Sequence, residues 1–305
     1  MRSGYRGSDE GRRMKDEGRT TKGGGFVFRP SSFVGYSPSV SELDDYLAVA
    51  EEVVAAGAAY LRQAVGRPQQ IEYKGAVDIV TETDRAVETL INERLRRAFP
   101  SHLVIGEEAS ATRPSAPASA EQWVWYLDPL DGTTNFAHDH PHFAVSLGLM
   151  RAGEPQVAVV ADPLRDETFT AVRGGGARCN GVTIRVSATA SLEAALLATG
   201  TPYDRRERAD LYLGTIRDFM LHCQGIRRAG SAALDLCWVA CGRVDGYWEW
   251  RLGPWDVAAG ALIVREAGGR MSDFGGAAHD VLGTETLASN GHLHDAMLAL
   301  LGPHR

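Results

Sequence analysis

The sequence predicts a layered α+β fold, and three observations carry that prediction. Apolar residues recur at helical spacing in two stretches near the start. Apolar runs then follow one another between residues 123 and 172, separated by short breaks. After residue 196 helices and strands are interspersed, without the regular alternation of a parallel α/β sheet.

The first helix opens at Ser39-Val40-Ser41-Glu42, a capping-box pattern, and carries Leu43, Tyr46, Leu47, Ala50, Val53, Val54, Ala58 and Leu61 until Gly66 closes it. A second follows Asp84, with Val87, Leu90, Ile91 and Leu95 on one face before Pro100. Leu103–Ile105 reads as a short strand running into Gly106-Glu107-Glu108, and Ala109–Ala120 as a solvent loop. Strands are expected at 123–127, 143–150, 156–161 and 168–172, with a hairpin turn at Asn180-Gly181. A strand at 196–199 and another at 246–249 lie among helices at 205–222, 231–241, 256–267 and 292–301.

Two lobes are expected, residues 39–186 and 187–305, behind a tail of residues 1–38. The tail is rich in Gly, Arg and Ser and lacks apolar periodicity, so it reads as disordered. Its Asp9, Glu10, Asp16 and Glu17 count against a transit peptide, and a translation start placed too early fits equally well.

With 305 residues, 44% of them apolar, and a net charge of −7, the chain is an ordinary globular one with no broad basic surface for nucleic acid. No apolar run is long enough to cross a bilayer. Cys179, Cys223, Cys237 and Cys241 include no Cys-x-x-Cys pair and read as reduced, structural thiols. A soluble cytoplasmic protein, with neither nucleic acid nor membrane among its partners, is the expectation.

The chemistry concentrates in Trp-Tyr-Leu-Asp-Pro-Leu-Asp-Gly-Thr-Thr-Asn-Phe, residues 125–136. Pro129 lacks an N–H, so the strand is expected to stop there and turn, bringing Asp128 and Asp131 toward one place with the Leu130 carbonyl. Two ionised carboxylates ~4 Å apart repel by about 4 kcal/mol at an effective dielectric near 20. Either one takes a proton or a cation sits between them, and an all-oxygen donor set favours Mg²⁺. Gly132-Thr133-Thr134-Asn135 then opens a short helix whose first-turn amides suit an anion. A cation site beside an anion site implies a phosphate bound through metal. The plainer alternative is that Asp131 caps a helix and Asp128 ends a strand. Glu107 and Asp256 fall at similar element ends, as does Asp84. Each has an ordinary structural reading alone; together they suit a multi-metal phosphoryl site.

Four segments in order carry a resemblance: Val77–Asp84, Ile105–Glu108, Trp125–Phe136 and Pro254–Gly260. The chain resembles the inositol monophosphatase family of the Mg²⁺-dependent, lithium-sensitive phosphatases, from about Leu43 to the C-terminus. That resemblance implies the layered αβαβα sandwich shared with fructose bisphosphatase, a homodimer, and two or three Mg²⁺ per site. It assigns Glu107, Asp128 and the Leu130 carbonyl to one ion and Asp128, Asp131 and Asp256 to a second. Glu107 with Asp84, through water, would hold a third. Thr133, paired with Glu107, would help activate the attacking water. Gly132, Thr133, Thr134, Gly230, Ser231, Ala232, Glu249 and Asp256 would meet the substrate. Lys74 matches a lysine near the site of relatives; the alternative is a solvated surface lysine.

The resemblance thus implies hydrolysis of a phosphomonoester, myo-inositol monophosphate first, by direct water attack. Fructose bisphosphate, 3′-phosphoadenosine phosphate and histidinol phosphate are the alternative substrates. Thr134-Asn135 argues mildly against histidinol phosphate, whose phosphatases tend to carry Lys-Ser there. A regulatory binding protein on the same scaffold is a further alternative, which lost metal ligands would favour; here the carboxylates are all present. His138-Asp139-His140-Pro141-His142 looks like a metal cluster but reads as solvated loop histidines beside a proline.

Overall fold

In the computed structural model, which describes residues 40–109, 119 and 121–304, helix α1 (Val40–Ala64) leads to a hairpin of β1 (Ile71–Tyr73) and β2 (Ile79–Thr81). The expected disordered tail and most of the loop at 109–120 lie outside the described residues. Helix α2 (Glu82–Ala98) begins earlier than its sequence suggests: Thr81 is the N-cap, and Asp84 in the first turn completes a capping box with it. Asp84 is therefore inside the helix rather than ahead of it.

A seven-stranded sheet follows, built in chain order from β3 (Leu103–Gly106), β4 (Val124–Asp131), β5 (Ala144–Arg151), β6 (Glu154–Asp162), β7 (Glu167–Val172), β8 (Gly176–Cys179) and β9 (Val182–Thr183). Helix α3 (Thr133–Ala137) sits between β4 and β5. Only β3 and β4 pair in parallel; the remaining neighbours are antiparallel. Asn180 and Gly181, both at positive φ, make the tight turn expected between β8 and β9. Strand β4 does not stop at Pro129. Its register to β5 shifts between Asp128 and Asp131, which lifts the proline out of the ladder. The Leu130 N–H turns instead to Asp128 Oδ1 at 2.9 Å.

The second sheet and its helices complete the chain: β10 (Leu196–Thr199), α4 (Ala209–Met220), β11 (Gly225–Arg227), α5 (Ala232–Ala240), β12 (Gly246–Trp250), α6 (Pro254–Glu266), β13 (Arg270–Ser272), β14 (Glu285–Ser289) and α7 (His294–Leu301). Its strand order is β11-β10-β12-β14-β13.

Alternation along the strands builds the layers. Trp125, Leu127, Val145, Leu147 and Val159 pack with α1 and α2, whereas Val124, Tyr126, Ala144 and Val160 pack with α5 and α6. On the second sheet Ala198, Tyr247 and Ala288 join that same middle core, and Leu197, Trp248 and Leu287 pack with α4 and α7. The order is thus helix, sheet, helix, sheet, helix. Sandwiched between two sheets, α5 and α6 are apolar almost all round. At Gly148 a Cβ would come within 2.8 Å of Ala258 Cβ, so α6 approaches β5 closely only because that position is glycine.

Candidate active site

The ends of β4 and α6 meet across the two halves of the chain. Ligand atoms of Asp128, Asp131 and Asp256 lie within 4.8 Å of one another, the only such acidic, His or Cys group among the described residues. Asp131 Oδ2 accepts from Ser231 Oγ at 2.6 Å and from the Ala233 N–H at 2.7 Å. Asp256 Oδ2 accepts from the Gly253 N–H at 2.6 Å, with Pro254 fixing the first turn of α6. These bonds hold the carboxylates to backbone that the sheets and helices have already placed.

Burial and mutual repulsion raise their proton affinities. Asp128 is pushed well above the usual carboxylate range by burial, then by Glu107, Asp131 and Asp256. Asp256 moves the same way through burial and Glu107. Burial takes Asp131 to about 6 against the hydrogen bond from Ser231. Crowded, buried, all-oxygen carboxylates of this kind fit a hard divalent cation, which would relieve the repulsion that now favours protonation.

Glu107 stands beside this group rather than in it. Its backbone N–H donates to Leu127 O at 3.1 Å, which fixes it where β3 ends next to β4. Its carboxylate pairs with Lys74 Nζ at 2.7 Å, and the same ammonium reaches Glu108 Oε1 at 2.9 Å. Lys74 is thus no solvated surface lysine. Burial alone would lower its pKa, but Glu107 and then Glu108 hold it above the ordinary lysine range.

Thr133 is not paired with Glu107 as expected. Its Oγ1 lies 2.9 Å from Asp84 Oδ1 and 3.1 Å from Leu130 O, because Asp84, anchored by the capping box, is the carboxylate that α2 brings under the turn. Burial raises Asp84 to about 6. Gly132, at φ 99°, lets the chain turn into α3, whose N-terminus has no side-chain cap, and leaves Thr134 exposed.

Facing these are the residues expected at the substrate. Ser231 is the N-cap of α5 and Ala232 its first residue, with Gly230 just ahead. Asn135, which is not among the expected site residues, joins the two walls: its Nδ2 donates to His142 O at 2.7 Å and Ala229 O at 2.9 Å. Glu249, 8% exposed, accepts a short hydrogen bond from the Tyr247 hydroxyl. Burial raises it to about 7. At Gly200 any Cβ would lie 1.8 Å from Glu249 Oε2, so only glycine leaves that carboxylate its place. Gly200 carries no sequence signal, since it meets Glu249 only where β10 pairs with β12. Tyr247 does, lying two residues before Glu249 on the same face of β12.

Residues 42–304 match the inositol monophosphatase family. Nus factor SuhB of Pseudomonas aeruginosa is 47% identical over 236 residues, 77% of this chain and 86% of that protein. Inositol monophosphatase 2 of Solanum lycopersicum is 44% identical over 262 residues, covering 85% and 98%. The solved inositol monophosphatase of Anabaena superposes with a TM-score of 0.76 at 40% identity, covering 86% of this chain and 97% of that one. Sequence, layers and carboxylate cluster agree: the chain is a phosphatase belonging to the inositol monophosphatase family.

Proposed function

We propose that the protein hydrolyses myo-inositol monophosphate to myo-inositol and phosphate with Mg²⁺ as its cofactor. The observation that carries this reading is the convergence of Asp128, Asp131 and Asp256 within 4.8 Å. Together with Glu107 and the Leu130 carbonyl they would hold the cations. Bound Mg²⁺ would supply an acidified water and neutralise charge on the phosphoryl group.

The chain's own residues do the rest. With its proton directed at Asp84, Thr133 Oγ1 keeps lone pairs for the attacking water, and that water's proton passes through the hydroxyl to Asp84. The first-turn amides of α3, which no side chain caps, would donate to the phosphate. Glu249, one oxygen already engaged by Tyr247, uses the other to accept from a substrate hydroxyl. Exposed Leu213, Met220 and Leu221 on and beside α4 suit burial in a homodimer.

Phosphate release from inositol 1-phosphate and fructose 1,6-bisphosphate, each with Mg²⁺ and with chelator, tests the reading. Mg²⁺-dependent release favouring the inositol ester is expected; preference for the bisphosphate, or turnover in chelator, overturns it. A second reading draws on the Nus factor relative: a regulatory binding role on the same scaffold. The complete acidic cluster favours the enzyme.

A further inference from the structure

His142 is 3% exposed and Asp235 is 1% exposed, and neither belongs to the chemistry described above. His142 Nε2 and Asp235 Oδ1 are both buried without a hydrogen-bond partner, 3.8 Å apart. Leaving one such group unpaired is costly, and finding two that face each other points to an interaction between them, closed directly or across a single water. The imidazole sits edge-on to Trp238, ring centroids 4.9 Å apart, one helical turn beyond Asp235. The histidine that the sequence reads as a solvated loop residue is instead docked on α5.

Its place in the chain gives the contact a purpose. His142 ends the segment that starts at Asp131, and Asp235 ends the first turn of α5. The same two segments are already tied at two other points. Ser231 and Ala233 hold Asp131, and Asn135 holds the carbonyls of His142 and Ala229. The two segments are otherwise independent pieces of backbone from opposite halves of the molecule. The first two ties act at and just before the N-terminal end of α5; the His142 contact holds the helix further along, at Asp235 and Trp238.

We propose that His142 and Asp235 form a positioning pair that fixes α5 against the Asp131 segment and thereby sets the affinity of the acidic cluster for its divalent cation. The inference rests on the metal-binding part of the proposed function. Partners that orient a metal ligand through hydrogen bonds typically change affinity by about 10- to 100-fold when lost, and a pair one step further out is expected to act at the low end.

The test is calorimetric titration of the metal-free protein with Mg²⁺, alongside kinetics. His142→Phe keeps an aromatic ring and removes the polar atom; it should weaken Mg²⁺ binding about 10-fold. His142→Gln, which restores a donor, should recover affinity to within about twofold. Asp235→Asn should weaken binding, and the double variant His142→Phe/Asp235→Asn should be no worse than the weaker single. At saturating Mg²⁺ kcat should return to near wild type in all four. Unchanged affinity with a lowered Tm, equal loss for Phe and Gln, or multiplying losses in the double variant would each overturn the pair. Should His142→Phe fail to fold, Asp235→Asn still decides through the His142 ring nitrogen resonances: Nε2 must shift if the two groups interact. Wild-type Mg²⁺ binding without turnover would sink the proposed function and leave the pair standing. No wild-type binding would sink both.

Discussion

Asp131 lies in the acidic cluster and Glu107 beside it, and different kinds of partner orient them. Asp131 is held by a hydroxyl and a backbone amide of α5, within the layer where two sheets close on one another. Glu107 is held by a lysine on the β1–β2 hairpin, whose first strand is exposed along its whole length. Hydrogen bonds from neutral donors orient a carboxylate and leave its charge available to a cation. An ion pair orients it too, but any cation must then compete with the ammonium. One half of the site is therefore preorganised, and the other is provisionally neutralised.

The largest expected effect lies in the preorganised half. Asp128→Asn preserves shape and most burial, so the variant should fold while turnover falls about 1,000-fold. Because the wild-type carboxylate is buried among like charges, the metal-free variant should melt no lower than the metal-free parent. Circular dichroism melts beside phosphate release check both. An active Asp128→Asn would remove the distinction, since the buried cluster would then not be the working half.

Next comes the substrate wall. Gly200→Ala forces Glu249 aside, so KM should rise about tenfold or more while Mg²⁺ affinity stays unchanged. Equal losses in both would mean that the wall and the cation cluster are not separable.

The pH dependence of stability sharpens the same contrast. Asp84 and Asp131 rise from 3.8 to about 6, in each case chiefly by burial. A raised folded-state pKa favours the folded protein while the carboxyl is protonated. That contribution is complete below about pH 4 and disappears as pH climbs through 6. Without metal, Tm should therefore drop by about 5 °C or more between pH 5 and pH 8. Saturating Mg²⁺ should flatten the slope by neutralising the ionised forms. A Tm that rises with pH in chelator reverses the sign and breaks the account.

These carboxylates are legible in the sequence because a strand or helix end leaves a mark: a proline, a glycine, a polar residue after an apolar run. The layered α+β class is legible for a similar reason, through periodicity in α1, α2 and the strands from β4 to β7, whereas the αβαβα order of the layers is implied only by the family resemblance. The short strands β1, β2, β11, β13 and β14, of three to five residues each, were not foreseen. Their pairing comes from neighbours rather than from any pattern of their own. Pro129 misled because a bulge can carry a proline through a ladder, and bulges depend on the partner strand. The resemblance pairs Thr133 with Glu107, whereas its hydroxyl donates to Asp84; only the depth at which the capping box sets Asp84 reveals that partner. His142 looks solvated from sequence because nothing local shows that α5 lies over it.

The smallest effect falls in the ion-paired half, and there its direction matters more than its size. Lys74→Ala leaves Glu107 and Glu108 without their shared ammonium. Glu108, already near 7 through burial and the neighbouring Glu107, then rises further and takes up protons more readily. Glu107 becomes free to turn toward a cation. If the lysine merely steadies Glu107, its loss should weaken Mg²⁺ binding. If it competes for the carboxylate, as 2.7 Å contact with a partly exposed ammonium implies, its loss should tighten binding by about threefold, the scale of a partly exposed ion pair. Calorimetric titration at low ionic strength separates the two. Tighter binding in Lys74→Ala, shrinking as salt screens the pair in the parent, is the expected result.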